Sequence, residues 1–292
     1  MDFWEIISSA YTNYWNYLSR AVMHPLKFPN GFYFLIYASL FVWMLELVFP
    51  WRKKQKVIRK DFWVDTFYMF FNYFLFGLII FVALSKTTGV LFGKLVGLVG
   101  LPTDHLFDLS GLPELLNLLI YFILYDLVQW TVHVILHRNK VLWRFHKVHH
   151  SVTEMGFAAH LRFHFMESVV YQIFKFTLLS YIFNFNLEHG FYIWFGATLI
   201  GHLNHANVGW DYGPLKYIFN NPKMHIWHHA KELPESHPHG MNFGITLSIW
   251  DYLFGTNYIP STGRDIELGF EGIEEYPDGF LEHQIEPFKR KK

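Results

Sequence analysis

Ten histidines fall between residues 133 and 229, and their spacing limits how the chain can fold more than any other feature. They form four clusters: His-x-x-x-His at 133–137, His-x-x-His-His at 146–150, a pair at 202 and 205, and a second His-x-x-His-His at 225–229. Residues three or four positions apart share one face of an α-helix, so the clusters predict imidazoles that converge on metal. One ion seldom uses more than about four or five protein ligands, which predicts two ions. The predicted ligands are His133, His137, His146, His149, His150, His202, His205, His225, His228 and His229.

Four other histidines near these clusters have contexts that favour ordinary structural positions. His160 is interpreted as a surface or interface residue, whereas His164 is close enough to the second cluster to lie near the site. His237 and His239 fall in a polar segment and are interpreted as loop residues or a weak lid element. A lone His-x-x-x-His is often coincidental. Two copies of His-x-x-His-His beside it favour a metal centre, because burying so many imidazoles without partners is costly.

Apolar runs separate the polar segments and predict an all-α membrane protein. Hydrophobic residues make up 52% of the sequence and charged residues only 16%, against about 25% charged in soluble domains. As a helix, the run at 31–50 spans about 30 Å, the thickness of the hydrocarbon core of a bilayer. Further runs lie at 67–84 and 115–136, and the runs at 166–183 and 190–208 are interpreted as one helical hairpin. About four transmembrane or hairpin helices are therefore predicted in total.

Basic clusters indicate which way the chain crosses the membrane. One lies in the loop at 52–60 and another at 289–292. Under the positive-inside rule both lie in the cytosol, and counting the spans places every histidine cluster on the same side. We therefore expect a cytosolic helical cap that carries the ligands. The membrane would be the endoplasmic reticulum of a eukaryote or the inner membrane of a bacterium.

A single membrane-embedded domain over residues 1–292 is the simplest organisation, with a catalytic core at about 120–258. No low-complexity segment divides the chain, and its first residues lack the basic segment of a cleavable signal. Residues 3–23 mix aromatic with polar residues, which predicts an amphipathic helix at the membrane interface. The formal net charge is zero, so no nucleic-acid partner is expected.

The residue types present limit the chemistry of the site. The sequence has no cysteine, which excludes disulfides, iron–sulfur clusters and thiolate-ligated haem within the chain. Imidazole binds zinc, copper, iron and nickel, so ligand type leaves the metal open. No hydrolytic base or phosphate-binding motif accompanies the histidines, which favours redox work and a di-iron centre that uses O2 on a C–H bond. Candidate partners that would orient the ligand imidazoles are Asp126, Glu154 and Asn207, with Glu167 and Asp251 as further candidates.

These motifs resemble those of the fatty acid hydroxylase (sterol desaturase) superfamily. The similarity covers about residues 120–258, including Asp126, Leu-Trp-Arg-Phe-His-Lys-Val-His-His-Ser ending at Ser151, and Ile-Trp-Asp-Tyr-Leu-Phe-Gly-Thr ending at Thr256. Within the superfamily, the layout is nearest to alkylglycerol monooxygenase. The resemblance implies a non-haem di-iron membrane enzyme with an eight-histidine motif at His133, His137, His146, His149, His150, His225, His228 and His229. By analogy with that branch, His205 is a ninth ligand, whereas His202 has no clear counterpart.

The resemblance implies a lipid hydroxylase or monooxygenase acting on a fatty acyl, alkyl-lipid or sterol-like substrate. It would need two iron ions and O2, and zinc can replace iron in preparations because it binds such ligands more tightly than iron(II). No cytochrome b5-like His-Pro-Gly-Gly or GxGxxG fingerprint occurs, so cytochrome b5, a ferredoxin with its reductase, or a reduced pterin is expected to supply electrons. Two alternatives stay open: a lipid desaturase with the same site, and a histidine-rich zinc-binding membrane transporter or storage protein.

Overall fold

The structure, a computed structural model, describes residues 3–27, 30–76, 91–185 and 187–289. No β-strand occurs among these residues, only three isolated β-bridges, and the prediction of an all-α protein is confirmed. In chain order, the α-helices with known bounds are α1 (Phe3–Met23), α2 (Gly31–Val48), α3 (Phe62–Phe70), α4 (Glu114–Arg138), α5 (Lys140–His150), α6 (Phe165–Gln172), α7 (Leu179–Ile182), α8 (Leu187–His205), α9 (Pro222–His228), α10 (Ile249–Phe254) and α11 (Phe280–Ile285). Residues 91–98 are also helical. α3 and α6 each continue into a π-helical stretch, Phe71–Leu75 and Ile173–Leu178.

Two described helices, α2 and α4, are long and apolar enough to cross a membrane. Only 28% of the most apolar window of α2 and 44% of that of α4 is buried in protein, so many of their apolar side chains face outward. A large exposed apolar surface suits contact with lipid. The predicted span at 67–84 lies partly outside the described residues, and the count of about four spans stays a prediction.

Asn139 makes the turn between α4 and α5. Its backbone N–H donates to the carbonyl of Ile135 at 2.9 Å, which closes the last turn of α4. Its side chain accepts hydrogen bonds from the backbone N–H groups of Val141 (2.9 Å) and Leu142 (3.1 Å), which caps α5. Asparagine is among the preferred residues at this capping position. The histidines at the end of α4 are thereby brought opposite those of α5.

The carboxyl-terminal ends of α2, α4 and α8 meet in one region of the molecule. Beyond α2, the backbone N–H of Trp51 donates to the Asn207 carbonyl at 3.0 Å, and that of Arg52 donates to Asn207 Oδ1 at 2.8 Å. α2 and α8 also pack on each other and on the 3-10 segment Phe157–Leu161. The basic loop at 52–60 is therefore at the same end of these helices as the histidines.

Residues 208–258, which we call the cap, fold over this end. Within the cap, α9 begins at Pro222, and the preceding Asn221 accepts a hydrogen bond from the Met224 backbone N–H at 3.0 Å. Asn242 has a positive φ of 53° and donates through Nδ2 to the carbonyls of Met224 (2.9 Å) and Tyr258 (2.8 Å). These bonds tie α9 to the segment that follows residue 240.

A helix lies near each end of the described chain. α1 is a helix over the predicted residues, Phe3–Met23, while its position at a membrane interface stays a prediction. At the other end, α11 packs back on α3, where the Tyr68 ring lies 6.0 Å from that of His283. Of the basic tail at 289–292, residues 290–292 lie outside the described part of the chain.

Candidate metal centre

Nine of the ten histidines singled out in the sequence, three of them in the cap, come together in the structure. They form two groups, and within each group the donor nitrogens lie within 4.8 Å of one another. Group one consists of His133, His137, His146, His150 and His228. Group two consists of His149, His205, His225 and His229. All nine side chains are buried except His137, which is half-buried.

α5 divides its three histidines between the groups. His146 and His150 belong to group one, whereas His149 belongs to group two. An α-helix turns about 100° per residue, so His149 and His150 point in directions different enough to reach different ions. The second His-x-x-His-His divides in the opposite sense, because its middle histidine, His228, joins group one while the flanking pair joins group two.

Hydrogen bonds at Nδ1 set the orientation of several ligands. In group one, Nδ1–H donates to the Phe243 carbonyl from His133 (2.7 Å), to the Met241 carbonyl from His228 (2.9 Å), and to Glu167 Oε2 from His146 (2.9 Å). In group two, Nδ1–H donates to the Arg162 carbonyl from His149 (3.1 Å) and to the Gly201 carbonyl from His205 (2.8 Å). Carbonyl and ionised carboxylate oxygens only accept, so these imidazoles carry their proton on Nδ1 and a lone pair on Nε2.

The lone pairs face one another within each group. Nε2 of His133 lies 3.1 Å from Nε2 of His146, and Nε2 of His149 lies 3.3 Å from Nε2 of His205. Two unprotonated nitrogens at this distance repel unless a cation lies between them. Two imidazole nitrogens that bind one ion at about 2.1 Å are about 3 Å apart, so the spacing fits a shared ion. Nε2 of His228 is likewise buried, with no hydrogen-bond partner in the described part of the chain.

Burial, reinforced by neighbouring imidazoles, holds the pKa of the ligands on α5 and in the cap well below the usual histidine value. This applies to His146, His150, His225, His228 and His229. For His149, burial lowers the pKa to about 4. These imidazoles are therefore neutral near pH 7, which is the form that binds a metal ion.

An aromatic ring and a glycine shape the surroundings of group one. The Trp143 ring centroid lies 4.9 Å from that of His137, 5.9 Å from His146 and 5.2 Å from His150. Gly240 has a φ of 100°, and a Cβ at this position would come within 2.8 Å of Nδ1 of His137. Glycine is required there both for its backbone conformation and for the close approach.

Asp126, the first predicted orienting partner, is buried in α4 but makes its hydrogen bonds elsewhere. Its carboxylate accepts from the Trp250 indole N–H at 2.9 Å and from the Leu247 backbone N–H at 3.3 Å. The structure therefore brings Asp126 to the cap segment around α10 instead of to an imidazole. Any effect on the ligands passes through the position of that segment.

Asp251 is linked to the ligands by one backbone segment. Its carboxylate accepts from the backbone N–H groups of Phe243 (2.9 Å) and Gly244 (2.8 Å) and from the Trp130 indole at 3.0 Å. The carbonyl of the same Phe243 accepts the Nδ1–H of His133. Asp251 thus holds the residue that orients a group-one ligand.

Of the three remaining predicted orienting residues, Glu154 and Asn207 lie away from the imidazoles and Glu167 contacts one. Glu154 accepts a hydrogen bond from the Lys60 backbone N–H at 3.3 Å, and Asn207 joins the loop after α2 to the end of α8. The carboxylate that does contact a ligand is that of Glu167, 2.9 Å from Nδ1 of His146. Glu167 is the third residue of α6, which begins at Phe165, and this helix separates it from the Glu154 loop.

His202 lies outside both groups. Its Nδ1 is 2.9 Å from Nδ1 of His160, and its Nε2 is 3.2 Å from the Ser39 hydroxyl. His160, interpreted from the sequence as a surface or interface residue, is half-buried, and its ring lies 5.2 Å from that of the group-two ligand His205. These residues form a polar contact chain from group two to α2.

Backbone carbonyls are the contacts that the sequence did not reveal. The oxygens of Arg162, Gly201, Met241 and Phe243 orient four of the ligands, yet any residue type can supply a carbonyl. A partial signal exists at Arg162, whose guanidinium is buried and paired with Asp61 at 3.0 Å. That ion pair fixes the loop whose carbonyl contacts His149.

Known proteins are similar to this chain over the part that builds the metal centre. Residues 118–256 match the sequence model of the family described as fatty acid hydroxylase. The chain is 36% identical over 164 residues to the ornithine lipid hydroxylase OlsE of Rhizobium tropici, covering 56% of this chain and 47% of that protein. Against the alkylglycerol monooxygenase of Xenopus tropicalis it is 29% identical over 145 residues, covering 46% and 29%.

A plant protein matches over a similar length. The chain is 26% identical over 169 residues to the very-long-chain aldehyde decarbonylase GL1-10 of Oryza sativa subsp. japonica, covering 56% of this chain and 52% of that protein. The chain thus spans about half, or less, of the length of these relatives. No solved structure matches. The predicted resemblance to the superfamily, with alkylglycerol monooxygenase among the relatives, is confirmed.

Proposed function

Because residues 118–256 match the fatty acid hydroxylase family, we propose that the chain is an integral-membrane, dinuclear iron monooxygenase that hydroxylates a C–H bond of a lipid. The observation that carries this proposal is the pair of buried all-histidine groups, in which unprotonated Nε2 atoms face one another at 3.1 and 3.3 Å. Iron ions in these groups would supply O2 activation and removal of hydrogen from the substrate carbon. Per turnover, one C–H bond, one O2, two electrons and two protons give one C–OH and one water.

The protein's own residues orient the metal ligands and shield them from bulk water. Glu167 and the backbone carbonyls fix the imidazole rings, so little reorganisation is needed when metal binds. The rings of Trp143 and Phe243 lie against group-one ligands on α4 and keep bulk water from them. Excluding water protects a reactive site from side reactions.

The exposed apolar faces of α2 and α4 support access from a bilayer. Leu40 and Met44 on α2 and Leu115 and Leu119 on α4 are each at least half exposed. A fatty acyl, alkyl-lipid or sterol-like substrate would enter laterally from the membrane, and O2 would arrive with it. Electrons would come from an external donor, either cytochrome b5, a ferredoxin with its reductase, or a reduced pterin.

Two alternative functions differ from this proposal, one in its product and one in where its ligands would lie. A desaturase would use the same histidines and the same first hydrogen removal, so only its product differs. A zinc transporter would place ligands along several spans, whereas nine histidines here form two compact groups at one end of the helices. The relatives named as a hydroxylase and a monooxygenase also favour oxygenation.

Product analysis tests the proposal directly. Lipids extracted from a host that expresses the chain are compared by mass spectrometry with those from a host expressing His146→Ala, a ligand variant. A gain of about 16 mass units per molecule is expected for one added oxygen, and a loss of about 2 would identify a desaturase. If expression of the active chain changes no lipid, the oxygenase proposal is wrong.

The orientation in the membrane has a separate test. The chain has no cysteine, so Glu235→Cys, in an exposed part of the cap, gives a single site for an impermeant thiol reagent. We expect labelling from the cytosolic side only, because the basic loop at 52–60 lies at the same end as the metal groups. Labelling from the opposite side would reverse the topology.

A further inference from the structure

A recess separate from the metal centre lies beside the loop that follows α2. It has a volume of about 800 Å³, is open to solvent on one side, and is lined by three segments, at 51–55, 153–154 and 264–268. None of the nine grouped histidines lines it, so it is separate from the metal centre. The segment 51–55 begins three residues after α2 ends at Val48, and the recess therefore sits at the end of a helix proposed to cross the membrane.

Positive side chains outnumber negative ones around this recess. Arg52, Lys53, Lys54 and Arg264 line it, against the carboxylates of Glu154 and Asp265. Asp265 already pairs with Arg264 at 3.1 Å, and Glu154 accepts the Lys60 backbone N–H. Lys53 and Lys54 are exposed, and among the described residues no ion pair engages either of them. The recess therefore carries two cationic side chains beyond those its own carboxylates balance.

The guanidinium of Arg52 is the most unusual group in the recess. Its Nε donates to the Arg264 carbonyl at 2.7 Å, but its Nη2 is buried and has no hydrogen-bond partner among the described residues. Burial lowers the pKa of Arg52 to about 10. A buried donor without an acceptor is costly, and a charged donor more so, which indicates that an acceptor outside the chain completes the site.

The remaining walls indicate what kind of anion would fit. Trp51 and Leu268 give the recess an apolar side next to its basic side. Tryptophan is enriched at the level of lipid headgroups, and basic clusters just beyond a spanning helix on the cytosolic side bind anionic headgroups. A free phosphate ion would use the basic side only, whereas a phospholipid would use both.

We propose that this recess binds the phosphate of an anionic membrane phospholipid, with Arg52, Lys53 and Lys54 contacting the phosphate and Trp51 and Leu268 contacting the glycerol end of the acyl chains. The inference rests on the membrane location proposed for α2. It is independent of which lipid is oxidised, and of whether oxidation occurs, because its site contains no metal ligand.

The test is a binding titration on the full chain in detergent. Dihexanoyl phosphatidylglycerol, dihexanoyl glycerol and inorganic phosphate are added at matched ionic strength, and the shift in Tm gives an apparent affinity. We expect saturable stabilisation by the phosphatidylglycerol, no shift with the uncharged lipid, and a weaker effect of inorganic phosphate. The double variant Lys53→Gln, Lys54→Gln should bind the phosphatidylglycerol at least about tenfold more weakly.

A matched control variant distinguishes binding in the recess from a general effect of removing positive charge. The double variant Lys56→Gln, Lys140→Gln removes the same charge at exposed positions outside the recess and should bind like the wild type. Equal weakening in both double variants, equal effects of phosphatidylglycerol and inorganic phosphate, or equal effects of the charged and uncharged lipids would each overturn the proposal. Arg52→Gln adds a third measurement if it folds. If the wild type binds phosphatidylglycerol in this way but hydroxylates no lipid, the result would count against the proposed function alone.

Discussion

Group one and group two are built from the same side chain, yet they are held in place differently. In group one, the Glu167 carboxylate orients His146, and the Trp143 ring lies against three ligands. In group two, the two ligands bonded through Nδ1 to oxygen, His149 and His205, both donate to backbone carbonyls. A side-chain contact can be removed by one substitution and a carbonyl cannot. Group two has one longer side-chain contact, with Asn220 Nδ2 at 3.4 Å from His225 Nδ1. The Glu167 contact is shorter, at 2.9 Å, so group one should be the more easily altered half of the centre.

Removing ligands tests whether the two groups are separate ion sites, and it should have the largest effect. The wild type is expected to bind about two ions per chain. His225→Ala leaves three ligands in group two, and His133→Ala with His228→Ala leaves three in group one. We expect each variant to retain about one ion and to lose lipid oxidation, because the proposed reaction uses both ions. Metal analysis of folded protein measures this, and loss of both ions from either variant would show that the groups form one indivisible site.

Substituting the acid of group one tests the difference between the groups. Glu167→Gln keeps the shape but weakens the bond to His146, and orienting partners of this kind are worth about 10- to 100-fold in metal affinity or activity. We expect a loss in that range at group one and none at group two, measured by chelator competition. Glu154→Gln is the matched control, because that carboxylate contacts no imidazole. Equal effects of the two substitutions would remove the proposed asymmetry.

The two buried aspartates should have smaller and distinct effects. Asp251→Asn places an amide where the backbone N–H groups of Phe243 and Gly244 need an acceptor, at a cost of about 1–3 kcal/mol in the free energy of unfolding. Because the Phe243 carbonyl orients His133, group one should also bind metal more weakly. Asp126→Asn should lower stability by a similar amount while leaving both ions in place. Thermal unfolding and metal content separate the two outcomes, and metal loss in Asp126→Asn would restore its predicted role beside a ligand.

The smallest change in metal content is expected at His202. It lies three positions before His205 on α8, but its ring nitrogens contact His160 and Ser39 instead of the ligands. His202→Gln should retain about two ions per chain, whereas His205→Gln should lose the group-two ion. Retention of one ion in His202→Gln would make His202 a tenth ligand and would extend group two toward α2.

The sequence alone determined the elements that carry the site and the residue types available to it. The apolar run and the Asn139 cap define α4, α5 and the turn between them by local rules of helix formation and capping. The spacing of the histidine clusters predicted their convergence and a need for two ions, and nine of the ten lie in the two groups. Periodicity along one helix is a local property, so it can be read from consecutive residues.

Only the tertiary structure decided which histidine joins which group and what orients each ring. His149 and His150 are neighbours in the chain but face different groups, and His202 faces neither, because these outcomes depend on where α8 and α9 pack against α5. The contacts that Asp126 and Asp251 make arise from residues more than a hundred positions away or from a backbone turn. A carbonyl oxygen carries no residue identity, so the partners of His133, His205 and His228 leave no mark in the sequence, and the partner of His149 leaves only the partial signal at Arg162. Gly201 lies four positions before His205 on the same helix, but the pairing of His133 with Phe243 follows from packing between distant segments, which the order of residues along the chain does not reveal.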